Sequence, residues 1–244
     1  MRKLKLTVQY DGTDFAGLQR QPNVPTVQGT LEEAIGRCLG HEVSLTAASR
    51  TDAGVHALGQ VACVETEVSI PVEAVPVAFT AALPPSMAVV EAEEVDPVFH
   101  PRFDAKSKRY VYRIVSRPVR SPFLGRYAWC MSHELSAEMM AAAAEHVKGL
   151  HDFRSFCAAG TEVEDCVREV TRLDVARDGD LLEIWIEANG FLYRMVRNIV
   201  GTLVEVGRDR LAPEQMAQIM AARDRSRAGP TAPPQGLCLA RVGY

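Results

Sequence analysis

The first 95 residues of this 244-residue chain switch repeatedly between the alternation of a strand and the three-to-four-residue spacing of a helix. No other feature restricts the fold as much. Leu4, Leu6, Val8 and Tyr10 alternate with Lys5, Thr7 and Gln9, the pattern of a strand with one wet face, and Asp11-Gly12-Thr13 ends it. Residues 15–21 are too polar and too broken by glycine for a helix and read as a loop. Val27, Leu31, Ala34, Ile35 and Cys38 then fall at helical spacing, with Thr26 as N-cap and Gly40 as stop. Two short apolar runs, 43–47 and 61–64, read as strands; 75–83 reads as a helix with Pro76 in its first turn and Pro84-Pro85 at its end; 87–95 reads as a strand. Strand, helix, strand, strand, helix, strand is the ferredoxin-like order.

Residues 97–105 are a connector, after which the pattern restarts. A strand is expected at 108–115 and another near 127–131, followed by a helix capped by Ser136 that runs to about 147. Residues 171–177 and 181–188 form a hairpin across Asp178-Gly179, 191–206 is the longest helix with Gly207 closing it, Pro213 opens a short helix, and 237–242 is a strand. The expected fold class is α/β of the α+β type. It has two ferredoxin-like lobes, 1–104 and 105–244, that share a largely antiparallel sheet, with helices mainly on one face and an active-site cleft between the lobes. The lobes repeat in element order and not in sequence.

Composition is that of an ordinary globular protein, 47% hydrophobic and 24% charged. The N-terminus lacks a continuous apolar stretch and no apolar run approaches a membrane span, so a cytoplasmic protein is expected. The six cysteines show neither C-x-x-C pairs nor zinc-ligand spacing, which points to free thiols, no metal and no cofactor. The net charge of -4 hides an asymmetry: residues 31–99 carry eleven acids and two bases, while residues 100–130 carry eight bases against Asp104 alone. A polyanion senses the local patch, since screening acts over roughly 8 Å at physiological salt.

Between the runs at 43–47 and 61–64 lies a loop with an Arg, an Asp and a His in close succession, Arg50, Asp52 and His56, interleaved with Gly54 and Gly59. An opposite charge close by keeps an Asp ionised, and an oriented carboxylate can act as a nucleophile. Thr51-Asp52-Ala53-Gly54 by itself is also an ordinary turn sequence. In the other half, Arg197 sits amid Met195, Val196, Ile199 and Val200, so part of it is buried and needs a partner.

The longer string Arg-Thr-Asp-Ala-Gly-Val-His-Ala at 50–57 resembles the signature of the tRNA pseudouridine synthase A family. The resemblance extends through Tyr10-Asp11-Gly12, Lys108-Arg109-Tyr110-Val111-Tyr112, Met195-Val196-Arg197-Asn198-Ile199-Val200-Gly201 and Gly236-Leu237, in the family's order. Ser49 and Leu18 depart from it, where the family often has Gly and commonly Trp. The resemblance implies an isomerase that converts uridine to pseudouridine at tRNA positions 38 to 40 and works as a homodimer. It implies Asp52 as nucleophile, Tyr110 stacking on the uracil, Arg197 as the ion-pair partner of Asp52 and Arg50 in support; it assigns no role to His56. Lys106, Lys108, Arg109 and Arg113 are the expected RNA phosphate contacts. Two further readings compete, a glycosidase-type nucleoside hydrolase, since a carboxylate attacking C1′ is also glycosidase chemistry, and an RNA-binding module in which Asp52 is a turn residue.

Overall fold

The computed structural model describes residues 1–158 and 165–244. They divide into two compact units, Met1–Lys106 with Cys238–Tyr244, and Ser107–Leu237. Each is a mixed α/β unit built on a largely antiparallel sheet. Among the described residues no helix is long and apolar enough to cross a membrane.

In the first unit the order is β1 (Arg2–Tyr10), α1 (Val27–Leu39), β2 (Thr46–Ala47), β3 (His56–Thr66), α2 (Val75–Ala81) and β4 (Met87–Val95), the expected βαββαβ sequence. Strands run β4–β1–β3, with β2 pairing β3 on its far side. Leu4, Leu6, Val8 and Tyr10 are buried, while Lys3 and Lys5 on the other face meet Glu65 and Glu93. Thr26 accepts the Gly29 N–H at 3.2 Å and Gly40 takes φ +75, so both expected ends of α1 stand where their residue types put them. Helix α2 is tied to β4 by the Thr80 hydroxyl, which donates to the Val89 carbonyl and accepts its N–H.

Two expectations shift here. The run at 43–47 yields only a two-residue strand, and β3 starts at His56 rather than at 61. The cause of the second is nonlocal: β1 pairs with β3 back to Ala57, opposite Tyr10, and the C-terminal strand β10 (Leu237–Gly243) lies parallel to β3, matching Leu239 with Ala57 and Cys238 with His56. Only the first residue of β3, His56, is added by the far end of the chain alone.

The second unit contains β5 (Ser107–Ser116), β6 (Trp129–Met131), α3 (Ala137–Glu145), β7 (Gly149–Asp152), β8 (Val167–Asp178), β9 (Leu181–Ala188), α4 (Met195–Gly207) and α5 (Gln215–Ala222). Strands run β5–β9–β8–β7, with β6 parallel on β5. The β8–β9 hairpin turns at Gly179, φ +55. Strand β7 has no counterpart in the sequence reading, because a four-residue strand with polar ends leaves little period. The helix expected from 191 starts at Met195, since Arg194 takes a left-handed φ of 58 that no helix continues through, and with 13 residues it is no longer than α1. The apolar spacing of Phe191 and Leu192 belongs to a packed turn.

Helix α4 is approached closely along one side. A Cβ on Gly201 would stand 1.7 Å from the Pro230 carbonyl oxygen, and one on Gly229 2.8 Å from the Thr202 Cα. Because the obstruction is backbone, Gly201→Ala is expected to destabilise by about 1–3 kcal/mol or more. Urea unfolding checks this, with Gly190→Ala as the control, where a Cβ would meet nothing nearer than Arg168 at 3.5 Å.

Candidate active site

Asp52 lies half-buried in the turn between β2 and β3, after buried Thr51 and before exposed Ala53. Its carbonyl accepts the Val55 N–H at 3.2 Å, closing the turn. Residues 15–18, a loop in sequence and in structure, support the turn from beneath. The Leu18 N–H donates to the Thr51 carbonyl at 3.0 Å and the Gly54 N–H to the Phe15 carbonyl at 3.4 Å. Between them Gly17 takes φ +103, and a Cβ there would stand 2.9 Å from the Thr51 carbonyl oxygen and 3.2 Å from the Ala53 nitrogen. Glycine is required twice, by conformation and by close approach. Leu18, where Trp was the alternative, is a buried packing residue.

His56 braces the same turn. The Gly12 N–H donates to its Nδ1 at 3.0 Å, and Asp11 Oδ1 lies 3.2 Å from that nitrogen. The neutral ring accepts from the backbone; a protonated ring would donate to Asp11 instead. Gly12 is as constrained as Gly17, since its Cβ would lie 1.9 Å from the Val55 carbonyl oxygen. Buried Gln60 and Tyr10 also bear on the turn; sequence reasoning placed Tyr10 in β1 and in the family's motif with no role at the site and did not single out Gln60, for which a Gln at an inward position of β3 was the available signal.

In the second unit, Tyr110 is buried on β5 opposite Ile186, with the Phe191 ring edge-on at 5.2 Å between centroids. Arg197 is 9% exposed on α4; its Nε donates to the Ala232 carbonyl at 2.8 Å, and its own carbonyl accepts the Ala232 N–H at 3.0 Å. The next residue, Asn198, is fully buried: Nδ2 donates to the Phe156 carbonyl at 2.7 Å, and Oδ1 accepts from Arg225 at 3.0 Å and Thr231 at 2.6 Å. Asn198 and Gly201 thus anchor the 225–232 segment on α4, and that segment holds Arg197. Tyr112 donates to the Pro233 carbonyl at 2.8 Å, while a Cβ on Gly236 would meet its ring at 2.5 Å. Burial pushes the Tyr112 hydroxyl well above its usual range, against the pull of Arg197.

The expected phosphate-binding cations differ in their surroundings. Arg109 and Arg113 are engaged across the β5–β9 pair, Arg109 by Glu187 at 2.6 Å and Arg113 by Glu183 at 2.8 Å. Burial works to raise the Glu187 pKa, yet hydrogen bonds from Arg109 and Ser107 outweigh it and hold the carboxyl below its ordinary value. Lys106 is exposed just before β5, and Lys108 is half-buried at its start. Arg50 is exposed, in the same turn as half-buried Asp52. Cys63, Cys166 and Cys238 are buried, and Cys38 is exposed.

A family model described as tRNA pseudouridine synthase matches residues 6–104 and 143–244. The chain belongs to the tRNA pseudouridine synthase family. It is 50% identical over 243 residues to the tRNA pseudouridine synthase A of Moorella thermoacetica, covering 99% of each chain. The protein of the same name from Myxococcus xanthus is 46% identical, over 100% of this chain and 92% of that one, and the one from Geobacter sulfurreducens 45%, over 100% of both. Among solved structures, an archaeal box H/ACA sRNP Nop10-Cbf5 complex aligns with 82% of this chain and 43% of that chain, at 14% identity and TM-score 0.35, too slight a likeness to add to the assignment.

Gly17 and Gly40 both occupy left-handed backbone, but only Gly17 faces backbone atoms, with open space at Gly40. Gly17→Ala is therefore expected to cost about 1–3 kcal/mol more than Gly40→Ala in chemical denaturation.

Proposed function

We propose that Asp52 is the nucleophile of this chain's reaction, that Tyr110 stacks on the target uracil and that Arg197 is the cation paired with Asp52. The reaction is isomerisation of uridine to pseudouridine in tRNA, and the chain is an isomerase. The observation that carries this is identity of half over 99% of each chain with a relative named tRNA pseudouridine synthase A. Nucleoside hydrolysis and binding without catalysis are not favoured by that membership. The bond from uracil N1 to C1′ breaks, one from C5 to C1′ forms, the C5 proton leaves to solvent and N1 gains a proton. Carboxylate attack at C1′ or at ring C6 leads to the same exchange.

The uracil must leave the RNA stack, at a cost of a few kcal/mol. An aromatic face offsets about 1 to 3 kcal/mol of this. Tyr110 supplies such a ring, and its edge contact with Phe191 restrains the ring's tilt. Arg197 is suited to hold a carboxylate ionised because its Nε is already committed to Ala232, which orients the guanidinium. Positions 38 to 40 of the anticodon arm as target, and a homodimer across which one tRNA lies, complete the proposal; they rest on the family resemblance. Exposed Lys106 and half-buried Lys108 are the proposed phosphate contacts, with Arg109 and Arg113 contributing less because Glu187 and Glu183 offset their charge, and Arg50 is the proposed support of Asp52.

Incubation with unmodified tRNA tritiated at uridine C5 tests the reaction. Tritium release is expected from the unaltered chain and none from Asp52→Asn, with tRNA binding retained; release by Asp52→Asn at the normal rate overturns the assignment. In binding titrations across a salt series, Lys106→Ala is expected to reduce the salt slope by about 1, and Arg109→Ala to reduce it by less.

A further inference from the structure

Gln60 is fully buried on β3, yet its carboxamide is saturated. Oε1 accepts the N–H groups of Ser49 and Val61, both at 3.2 Å; Nε2 donates to the Ser49 carbonyl at 2.7 Å and to the Tyr10 hydroxyl at 3.4 Å. Two acceptor sites and two protons are all that an amide side chain offers. The pair of hydrogen bonds to Ser49 continues a strand ladder by other means. Strand β2 ends at Ala47, the Ala48 N–H still reaches the Val61 carbonyl at 2.8 Å, and the Gln60 side chain takes both backbone groups of Ser49. One step along, Tyr10, 4% exposed, places its hydroxyl 2.8 Å from the Thr51 hydroxyl. Thr51 is thereby held at its side chain by Tyr10 and at its carbonyl by Leu18.

We infer that Gln60 and Tyr10 are positioning residues for the nucleophile, fixing Ser49 and Thr51 so that Asp52 is presented in one backbone conformation while Arg50 projects outward. This rests on the reading of Asp52 given above. A buried amide is costly unless every polar atom is matched, so an apolar residue at 60 would serve simple packing better. What only the amide can do is grip the backbone of Ser49 from both sides. Inside a protein such a chain of hydrogen bonds is high-stakes: complete, it specifies one arrangement, and incomplete, it loses it. Chemistry is sensitive to the difference, since displacement of a reacting group by about 1 Å can cost on the order of a hundredfold in rate.

The test is a double-mutant cycle on the Tyr10–Thr51 hydroxyl pair in the full chain, read by single-turnover tritium release, tRNA affinity and thermal unfolding. Tyr10→Phe and Thr51→Val each keep shape and remove one hydroxyl. Each is expected to slow the single-turnover step about tenfold, with tRNA affinity unchanged at temperatures where the variants stay folded. The double variant is expected to be no slower than Tyr10→Phe, because Tyr10→Phe already breaks the bond that Thr51→Val removes. Gln60→Met, of similar length without the amide, is expected to lose rate in the same way. Single-turnover rates equal to the unaltered chain, rate losses that multiply in the double variant, or losses matched by the unfolded fraction overturn the inference. If Asp52→Asn is inactive while Tyr10→Phe runs at full speed, only the positioning role fails. If Asp52→Asn remains active, the reading of Asp52 fails and the positioning role with it.

Discussion

Backbone meeting backbone is the constraint on which the first unit's Asp52 turn depends. The Asp52 turn lies on residues 15–18 with no side chain between them, because Gly17 has no Cβ to hold the two strands of chain apart. That contact allows the Leu18 N–H to reach the Thr51 carbonyl and the Gly54 N–H to reach the Phe15 carbonyl. Gly12 repeats the device against Val55, with His56 accepting its N–H. A loop secured in this way has the precision of a strand while keeping a carboxylate at its apex, which is where binding and catalytic groups gain from a rigid scaffold.

The second unit solves a comparable problem with buried polar groups. Helix α4 offers Arg197, Asn198 and Thr202 on a side that an apolar helix would have packed with hydrocarbon, and the 225–232 segment matches them bond for bond. Gly201 and Gly229 let that segment come close enough for the matching to work. Arg197 is the beneficiary, with one nitrogen held by Ala232 on the segment so gathered. The cross-strand pairs of Arg109 with Glu187 and Arg113 with Glu183 show the opposite use of arginine, in which charge stabilises the sheet face and is largely spent there.

Much was legible because it is local. Thr26 and Gly40 bracket α1 through contacts with residues three or four positions away, and the alternation of Leu4, Leu6, Val8 and Tyr10 needs only a wet side and a dry side. Gly179 turned its hairpin for the same kind of reason. Where a neighbour from elsewhere in the chain decides, the pattern misled: His56 joins β3 because Cys238 pairs beside it, and Phe191 keeps a helical period in a segment that Arg194 ends before α4 begins. No division at a single point of the chain expresses the two units, since the last strand returns to the first of them.

The sequence by itself determined the alternation of strands and helices, the family and the residues on which a reaction of this kind would be expected to fall, because periodicity and motif are written in neighbouring positions. Tertiary structure alone decided that Gln60 reaches Ser49, that Tyr10 meets Thr51, that Ala232 grips Arg197, and that Arg109 and Arg113 answer to glutamates before any phosphate. Those partners stand between 11 and 78 positions apart in the chain, and a hydrogen bond depends on distance in space, to which sequence separation is no guide.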